Sequence, residues 1–377
     1  MSKLHPRDTV IIDAVRTAIG QPQGVLQHLN AEQLSAATLQ QLIQRHEFDL
    51  NEIEDFIWGS ADVISARRIA LAAQLPVTVT GQVIQHLQGS SMQALHAAAA
   101  QIATEQGHIF IVGGVGVTPS QVMPSAPIAG YAHASFNPLY SDEFLAHLNQ
   151  ISREAQDQLA LQSQQKAWLA QQRGHFQAEI VPIQGLSNHG LMTTCHTDEL
   201  ITQDLTFAAL KTLPTIHQQH HATLTIGNTA SQGIGASALL LMSAEHAQSL
   251  GLQPKAVIRA MAVAACDPAI ASYATVPAIQ KALKRAGRTI EEIHTFELDE
   301  HSAAAHLSIV KNLNLTQRQD RINMYGGAIA LGQVMGSSGT QMLTTLLHIM
   351  EHKNTTLGLA ALSMDLGQGI ATVIERI

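Results

Sequence analysis

A chain of 377 residues that is 46% hydrophobic and only 13% charged can bury more than one core and is too apolar to be disordered. Its formal charge of −8 and lack of any long basic run argue against nucleic acid as a partner. No apolar run reaches the length of a membrane span, and MSKLHPRDTV carries no apolar signal region, so a cytoplasmic protein is expected.

Val10 to Ala14 reads as a buried strand, followed by the turn RTAIG (16–20). Residues 31–45 show helical spacing, with Leu34, Ala37, Leu39 and Leu42 on broadly one side. Ile53 to Gly59 is a second strand and 65–75 a helix stopped by Pro76. The strand-like run 77–84 delivers the chain to LQGSSMQALHAAAAQI (87–102), a glycine-serine turn running into an alanine-rich helix. Gln88 stands just before that helix, where free backbone N–H groups and the positive end of the dipole gather. The strand His108 to Val112 follows, and this βα alternation is the pattern of a buried sheet covered by helices.

From 118 to 223 the texture changes. Pro119, Pro124, Pro127 and Pro138 mark an irregular stretch. Ser152 to Gln172 is a long, glutamine-rich helix whose ISRE start reads as a capping box, and polar loops run through 184–204. An inserted loop domain is the expectation, dividing the chain into an N-terminal unit of 1–117 plus 224–248, the insertion at 118–223, and a C-terminal unit of 249–377. In the last unit, 256–265 is a strand, 277–286 a helix, 295–298 a strand and 303–313 a helix. A glycine-rich run (326–342) then leads into a helix to His352 and strands at 358–363 and 370–375.

Of twenty histidines the densest cluster is His217, His220 and His221, with no Cys or carboxylate at ligand spacing, so a solvated loop is expected and no metal. Cys195 and Cys266 are too few for a disulfide framework. An internal repeat is visible. GSSMQAL (89–95) with VGGVG (112–116) echoes GSSGTQML (336–343) with DLGQG (365–369), and VIIDAVRTAIG (10–20) echoes AVIRAMAVAAC (256–266). Two copies of one βα unit suggest a pseudo-twofold pair of packed domains.

DAVRTAIG (13–20), IEDFIWG (53–59), GSSMQALH (89–96), FQAEIVPI (176–183), CDPAI (266–270), VPAIQKALKRAG (277–287) and GGAIALG (326–332) together resemble the thiolase family, especially the bacterial thiolase subunit of fatty-acid β-oxidation, over nearly the whole chain. The resemblance implies two similar βαβαβαββ domains in a five-layer α-β-α-β-α sandwich, with an inserted loop domain over a CoA site. It also implies a nucleophilic cysteine, a GHP-type histidine, a second cysteine in the C-terminal glycine loop and an NEAF-type asparagine. Those positions hold Gln88, Gln333, Ser363 and Asp299. The CoA-contacting loop corresponds to IGNTASQGIGAS (226–237), with Gly227, Asn228 and Ala230 as a weak match. The family's serine falls on Ala230, its acidic residue on Ile234, and a helix histidine on Gln164. Cleaving a carbon–carbon bond in this way needs an acyl carrier, a proton shuttle and stabilised oxyanions. Cys266 and Cys195 read as structural or incidental, His86 as packed, and His301, inside the former NEAF motif, as a supporting histidine rather than a base.

The expectation is therefore a thiolase homologue without catalysis, acting as a structural or regulatory subunit. It would be a homodimer or a hetero-oligomer with an active thiolase or the β-oxidation multifunctional subunit, without a cofactor. The alternatives are CoA or acyl-CoA binding without turnover, and a malonyl-thioester decarboxylase using the Gln88 amide.

Overall fold

The computed structural model describes residues 4–61, 63–117, 138–187, 189–218 and 221–377. The elements in the first half are β1 (Thr9–Thr17), α1 (Ala31–Ile43), β2 (Ile53–Ser60), α2 (Ala66–Ala72), β3 (Thr80–Ile84), α3 (Ser90–Ala103) and β4 (Ile109–Gly116). The inserted region gives α4 (Pro138–Leu148), α5 (Arg153–Gln172), β5 (Ile180–Val181), β6 (Ile183–Leu186), β7 (Met192–Cys195) and α6 (Phe207–Thr212). The chain continues with β8 (Gly235–Ser243), α7 (Ala244–Ser249), β9 (Ala256–Ala265), α8 (Thr275–Ala286), β10 (Thr295–Leu298), α9 (Ala303–Asn312), α10 (Ala328–Leu331), α11 (Ser338–Lys353), β11 (Leu357–Met364) and β12 (Gln368–Arg376).

Local chemistry sets the helix starts. Asn30 and Gln33 form a reciprocal capping box on α1, whose Leu34, Leu39 and Leu42 are buried. Ser65 caps α2. The capping box expected at α5 is only half made: Ser152 accepts from Ala155 N at 3.1 Å, but Ala155, not Glu154, occupies the position that would reach back. Two further expectations change. Pro138 does not lie in an irregular stretch but opens α4, where its missing N–H costs nothing at a helix start. The polar run 184–204 contains the hairpin β6–β7. Pro119, Pro124, Pro127 and His220 lie outside the described residues.

The strands follow the order β10-β11-β12-β9-β1-β8-β4-β2-β3. Read outward from the β9–β1 junction, the order is a palindrome of four strands a side, with β3 added beyond β2. β9, β12, β11 and β10 match β1, β8, β4 and β2, and each half has antiparallel inner pairs and a parallel outer pair. Within the sheet the halves meet at Val10–Val257 and Ile11–Ala256. The internal repeat is thus a structural one, with a difference at its end. VGGVG stays within β4, whereas DLGQG turns the chain straight from β11 into β12. The first half has its insertion at that point.

Strand alternation builds three core layers. Val10, Ile12 and Trp58 face α1 and α2. Ile11, Ile57 and Val112 face the central pair α3 and α11, which also packs on Leu362, Ile370 and Ile374 of the second half. Phe296, Leu359 and Val373 face α8 and α9. Helices, half-sheet, helices, half-sheet and helices make five layers.

The insertion is tied to the sheet by a buried ion cluster. Arg16 of β1 donates from Nε to Glu179 at 2.6 Å and from its terminal nitrogens to Asp198 at 2.8 and 3.0 Å. Burial works against the Arg16 charge, but the two carboxylates outweigh it and hold the guanidinium protonated. Removing one member of such a cluster strands the others in a medium that cannot solvate them. Arg16→Met is therefore expected to lower stability by about 3–5 kcal/mol, read by urea denaturation. A loss under about 1 kcal/mol would show that water reaches the carboxylates.

Candidate active site

The turn before α3 is unusual. Leu87 sits at φ 53°, a left-handed conformation that a branched side chain adopts only when its surroundings hold it there. Ser90 does the holding: its hydroxyl accepts from His86 N at 2.8 Å and donates to Leu87 O at 2.6 Å. The helix start is pressed against its neighbours. A Cβ on Gly59 would come within 2.4 Å of Ser91 N, and one on Gly339 of α11 within 2.5 Å of Met92 Cβ. Bare backbone at these two points lets the two helix starts meet.

Three of the four positions picked from the sequence line one cavity of about 90 Å³: Gln88, Gln333 and Ser363, together with Gln232, Ser272, His301, Met335, Met364 and Asp365. Asp299 lies directly behind, with an oxygen on Ser363 N at 2.9 Å and on the Ser363 hydroxyl. The structure therefore brings all four together.

Their hydrogen bonds are turned toward one another. Gln88 Nε2 donates to Asp365 Oδ1 at 3.0 Å, and Asp365 N donates to Gln88 Oε1 at 3.3 Å. The side chain of Gln88 thus closes on the β11–β12 turn at two points. Burial pushes the Asp365 carboxyl upward, against the pull of that Gln88 bond. His301 bridges two carboxylates, with Nε2 2.7 Å from Asp142 and Nδ1 3.1 Å from Asp299. Burial alone would favour neutral imidazole. The two carboxylates overcome it and raise the His301 value well above the ordinary one, so both ring nitrogens carry protons at neutral pH. Burial likewise opposes the Asp299 charge, yet His301 and the Ser363 bonds bring its pKa down to about 2. Asp142 also accepts from Ser272 at 2.6 Å and Ser302 at 2.6 Å. Gln333 is half-buried, and its side-chain amide makes no hydrogen bond among the described residues.

The loop 226–237 reaches the cavity only through Gln232, which bridges to Gln333. Asn228 is fully buried; its amide donates to Asp157 at 3.0 Å and its oxygen accepts from Thr225 N at 2.8 Å. Ala230 N donates to His301 O at 2.9 Å, and Gly227 packs against Leu210 and Leu213 of the insertion. Gln164 is spent on Thr202 N at 2.8 Å. Cys195 is buried, which pushes its thiol up to about 12, and burial lifts Cys266 to about 11. His86 meets Gln368 at 3.1 Å. His217 is buried and stacks on Tyr140, and no group of three His, Cys, Asp or Glu among the described residues is arranged to hold a metal ion. No described helix is long and apolar enough to cross a membrane.

Two site residues escaped the sequence reading. Asp142 lies on α4, just past the prolines that marked an irregular stretch; PLYSDEFLA (138–146) carries a helical spacing of Leu139, Asp142, Leu145 and Ala146 that those prolines obscured. Asp365 was in view only as part of DLGQG.

This geometry, two mirrored half-sheets with a site at the meeting of two helix starts, agrees with the comparisons. The thiolase N-terminal domain family model matches residues 9–136 and 139–245, and the thiolase C-terminal domain model matches 252–376. The chain belongs to the thiolase family. It is 47% identical to a 3-ketoacyl-CoA thiolase of Acinetobacter baylyi and 44% identical to one of a Psychrobacter species, in each case over the full length of both chains. Its fold matches an acetyl-CoA acetyltransferase of Bacillus anthracis with TM-score 0.90 at 30% identity, covering 98% of this chain and 99% of that one. The human mitochondrial 3-ketoacyl-CoA thiolase matches with TM-score 0.90 at 26% identity, covering 99% and 100%.

The bridged histidine gives a signed pH dependence. A raised His301 value contributes stability that is complete below the unfolded value near 6.5 and is lost as pH rises through the folded value. His301→Gln is expected to cost about 3 kcal/mol at pH 6, because it leaves two buried carboxylates facing each other, and less at pH 9. Urea denaturation at the two pH values reads the difference; an equal cost at both would mean that the ring is neutral.

Proposed function

We propose that this chain is a thiolase-family protein without thiolase chemistry, acting in the cytoplasm as a structural or regulatory subunit of acyl-CoA metabolism. The names of its relatives support the metabolic setting. The single observation that carries the loss of catalysis is the spent donor set. An oxyanion needs N–H or O–H donors aimed at an empty position. Gln88 and the Asp365 backbone N–H hold each other. The N–H and hydroxyl of Ser363 both go to Asp299. Both ring nitrogens of His301 go to carboxylates. Among the described residues the Gln333 and Gln232 side-chain amides are left, and neither an amide nor a serine hydroxyl held by a carboxylate of pKa about 2 is a competent nucleophile.

The same contacts speak against the decarboxylase alternative, which needs the Gln88 amide free for a thioester oxygen. CoA or acyl-CoA binding without turnover remains the second reading, favoured by the partly open cavity beside Gln88 and Gln333.

The test is thiolysis of a 3-ketoacyl-CoA by protein purified from a host lacking its own thiolases. Losing one member of a catalytic unit typically costs ~10⁴–10⁶ in rate, so no turnover above background is expected. A rate within about two orders of magnitude of an active relative would overturn the proposal. Gln88→Cys alone is expected to give no acyl-enzyme by mass spectrometry, since the cysteine would have no imidazole base and no free shuttle group. Efficient acylation would mean that the site is better preserved than its hydrogen bonds suggest.

Association is the other part of the proposal. Among described strands β3 pairs only with β2, and its outer edge is open. Val83 and the neighbouring Val77 are exposed there. An open, apolar edge is a template for a second strand, so a homodimer or a heteromer with an active thiolase or the β-oxidation multifunctional subunit is expected to form along it. Light scattering should give a mass above that of one chain, and Val83→Lys should lower it. A monodisperse monomer at micromolar concentration, with no partner recovered from cells, would refute this.

A further inference from the structure

DLGQG puts an aspartate at the turn from β11 into β12, and the fold carries that turn to the wall of the candidate active site. Asp365 is half-buried there. One of its carboxylate oxygens takes the Gln88 N–H at 3.0 Å, and the other has no hydrogen-bond partner among the described residues. Neither Lys nor Arg lines the cavity, and its only other charged lining residue is His301. The charge of that imidazole is already shared between Asp142 at 2.7 Å and Asp299 at 3.1 Å. Three carboxylates thus stand around one cation, and Asp365 is the one that makes no ion pair among the described residues.

The free space of about 90 Å³ holds the end of a ligand rather than a whole coenzyme. A group that fills it lies beside Gln88, Ser363 and Asp365, which share its wall. Charge then decides what can stay. Two like charges held close together, with apolar neighbours such as Met335 and Met364 in place of water, repel far more than they would in bulk solvent. The Asp365 carboxyl already feels this. Burial pushes it upward and Asp142 and Asp299 add to the push, while the Gln88 bond and His301 pull the other way. A ligand carboxylate would find no free cation to pair with. Burying a charge without a partner is costly, whereas an uncharged end meets the two methionines and Ala271 without that cost.

We propose that Asp365 sets the charge of the acyl group this cavity admits: acyl thioesters with an uncharged end enter, and those ending in a carboxylate are rejected. The proposal rests on the second reading above, acyl-CoA binding without turnover. It also tells against a malonyl thioester at this site, because that acyl group ends in a carboxylate.

The test is calorimetric titration of the full chain with butyryl-CoA, succinyl-CoA and β-alanyl-CoA. Their acyl groups are of similar length and end in a methyl, a carboxylate and an ammonium. The CoA moiety is common to all three, so its own charge cancels from the comparison. Butyryl-CoA is expected to bind the wild type at least about tenfold more tightly than succinyl-CoA. Asp365→Asn keeps an oxygen for the Gln88 N–H while removing the charge, and should narrow that gap to within about threefold. Equal affinities of the wild type for butyryl-CoA and succinyl-CoA would overturn the proposal and leave the acyl-CoA reading standing. A gap that survives Asp365→Asn would place the discrimination elsewhere and overturn it too. Binding of none of the three would refute both. Should Asp365→Asn fail to fold, the wild type alone decides: β-alanyl-CoA is expected to bind more tightly than succinyl-CoA, and the opposite order would refute the proposal.

Discussion

The charged imidazole of His301 between Asp142 and Asp299 is the contact on which the site depends. It joins three pieces of chain: helix α4 of the insertion, the end of β10 and, through Asp299, the end of β11. Taking three charged groups out of water is costly, and the arrangement holds only because nearly every remaining lone pair is met. Ser272 and Ser302 satisfy Asp142, and the Ser363 N–H and hydroxyl satisfy Asp299. Each bond that makes the bridge tolerable is also a donor removed from the cavity. Polar satisfaction and availability for chemistry are here opposite demands on the same atoms.

The scaffold beneath is governed by a different constraint, close approach of backbones. The starts of α3 and α11 meet because Gly59 and Gly339 present no side chain to Ser91 and Met92. Thr340 N then donates to Ser91 Oγ at 3.1 Å, tying the two starts directly. These contacts are indifferent to what stands at 88, 299, 333 or 363. These backbone contacts can therefore hold the thiolase-family fold whatever groups face the cavity.

Much of this was legible in the sequence, for identifiable reasons. β1, β2, β9 and α1 carry clean apolar runs or helical spacing, and the doubled GSS motif announced the palindromic sheet. The four site positions could be found because they fall within motifs through which the chain resembles the thiolase family. What could not be read was the pairing of charges across distant segments. His301 looked like a supporting residue because nothing local to DEHS indicates a carboxylate arriving from α4. Asp142 was hidden because prolines upstream made a helix look like loop, although Pro138 is itself a helix opener. Ser152 misled in the opposite way. It does cap α5, but one residue out of register for the reciprocal bond.

The palindromic sheet also constrains how the chain assembles. In the second half, β11 passes into β12 through one short turn, so the central strands of that half are neighbours in sequence as well as in space. In the first half, the strand between β1 and β4 is β8, which lies beyond the whole insertion, so that Thr9 finds its partner only at Ser243. Closing long loops is slow more than it is costly: each doubling of length adds only about 0.6 kcal/mol, but the contact must wait for its search. During synthesis on the ribosome, β1 therefore emerges with its hydrogen-bonding edges uncovered, and β5 can pair only its end at Arg16 and Thr17 before β8 and then β9 arrive. The earliest strand of the chain waits longest for its neighbours in the middle of the sheet, and that interval is when it needs shelter from pairing with another copy.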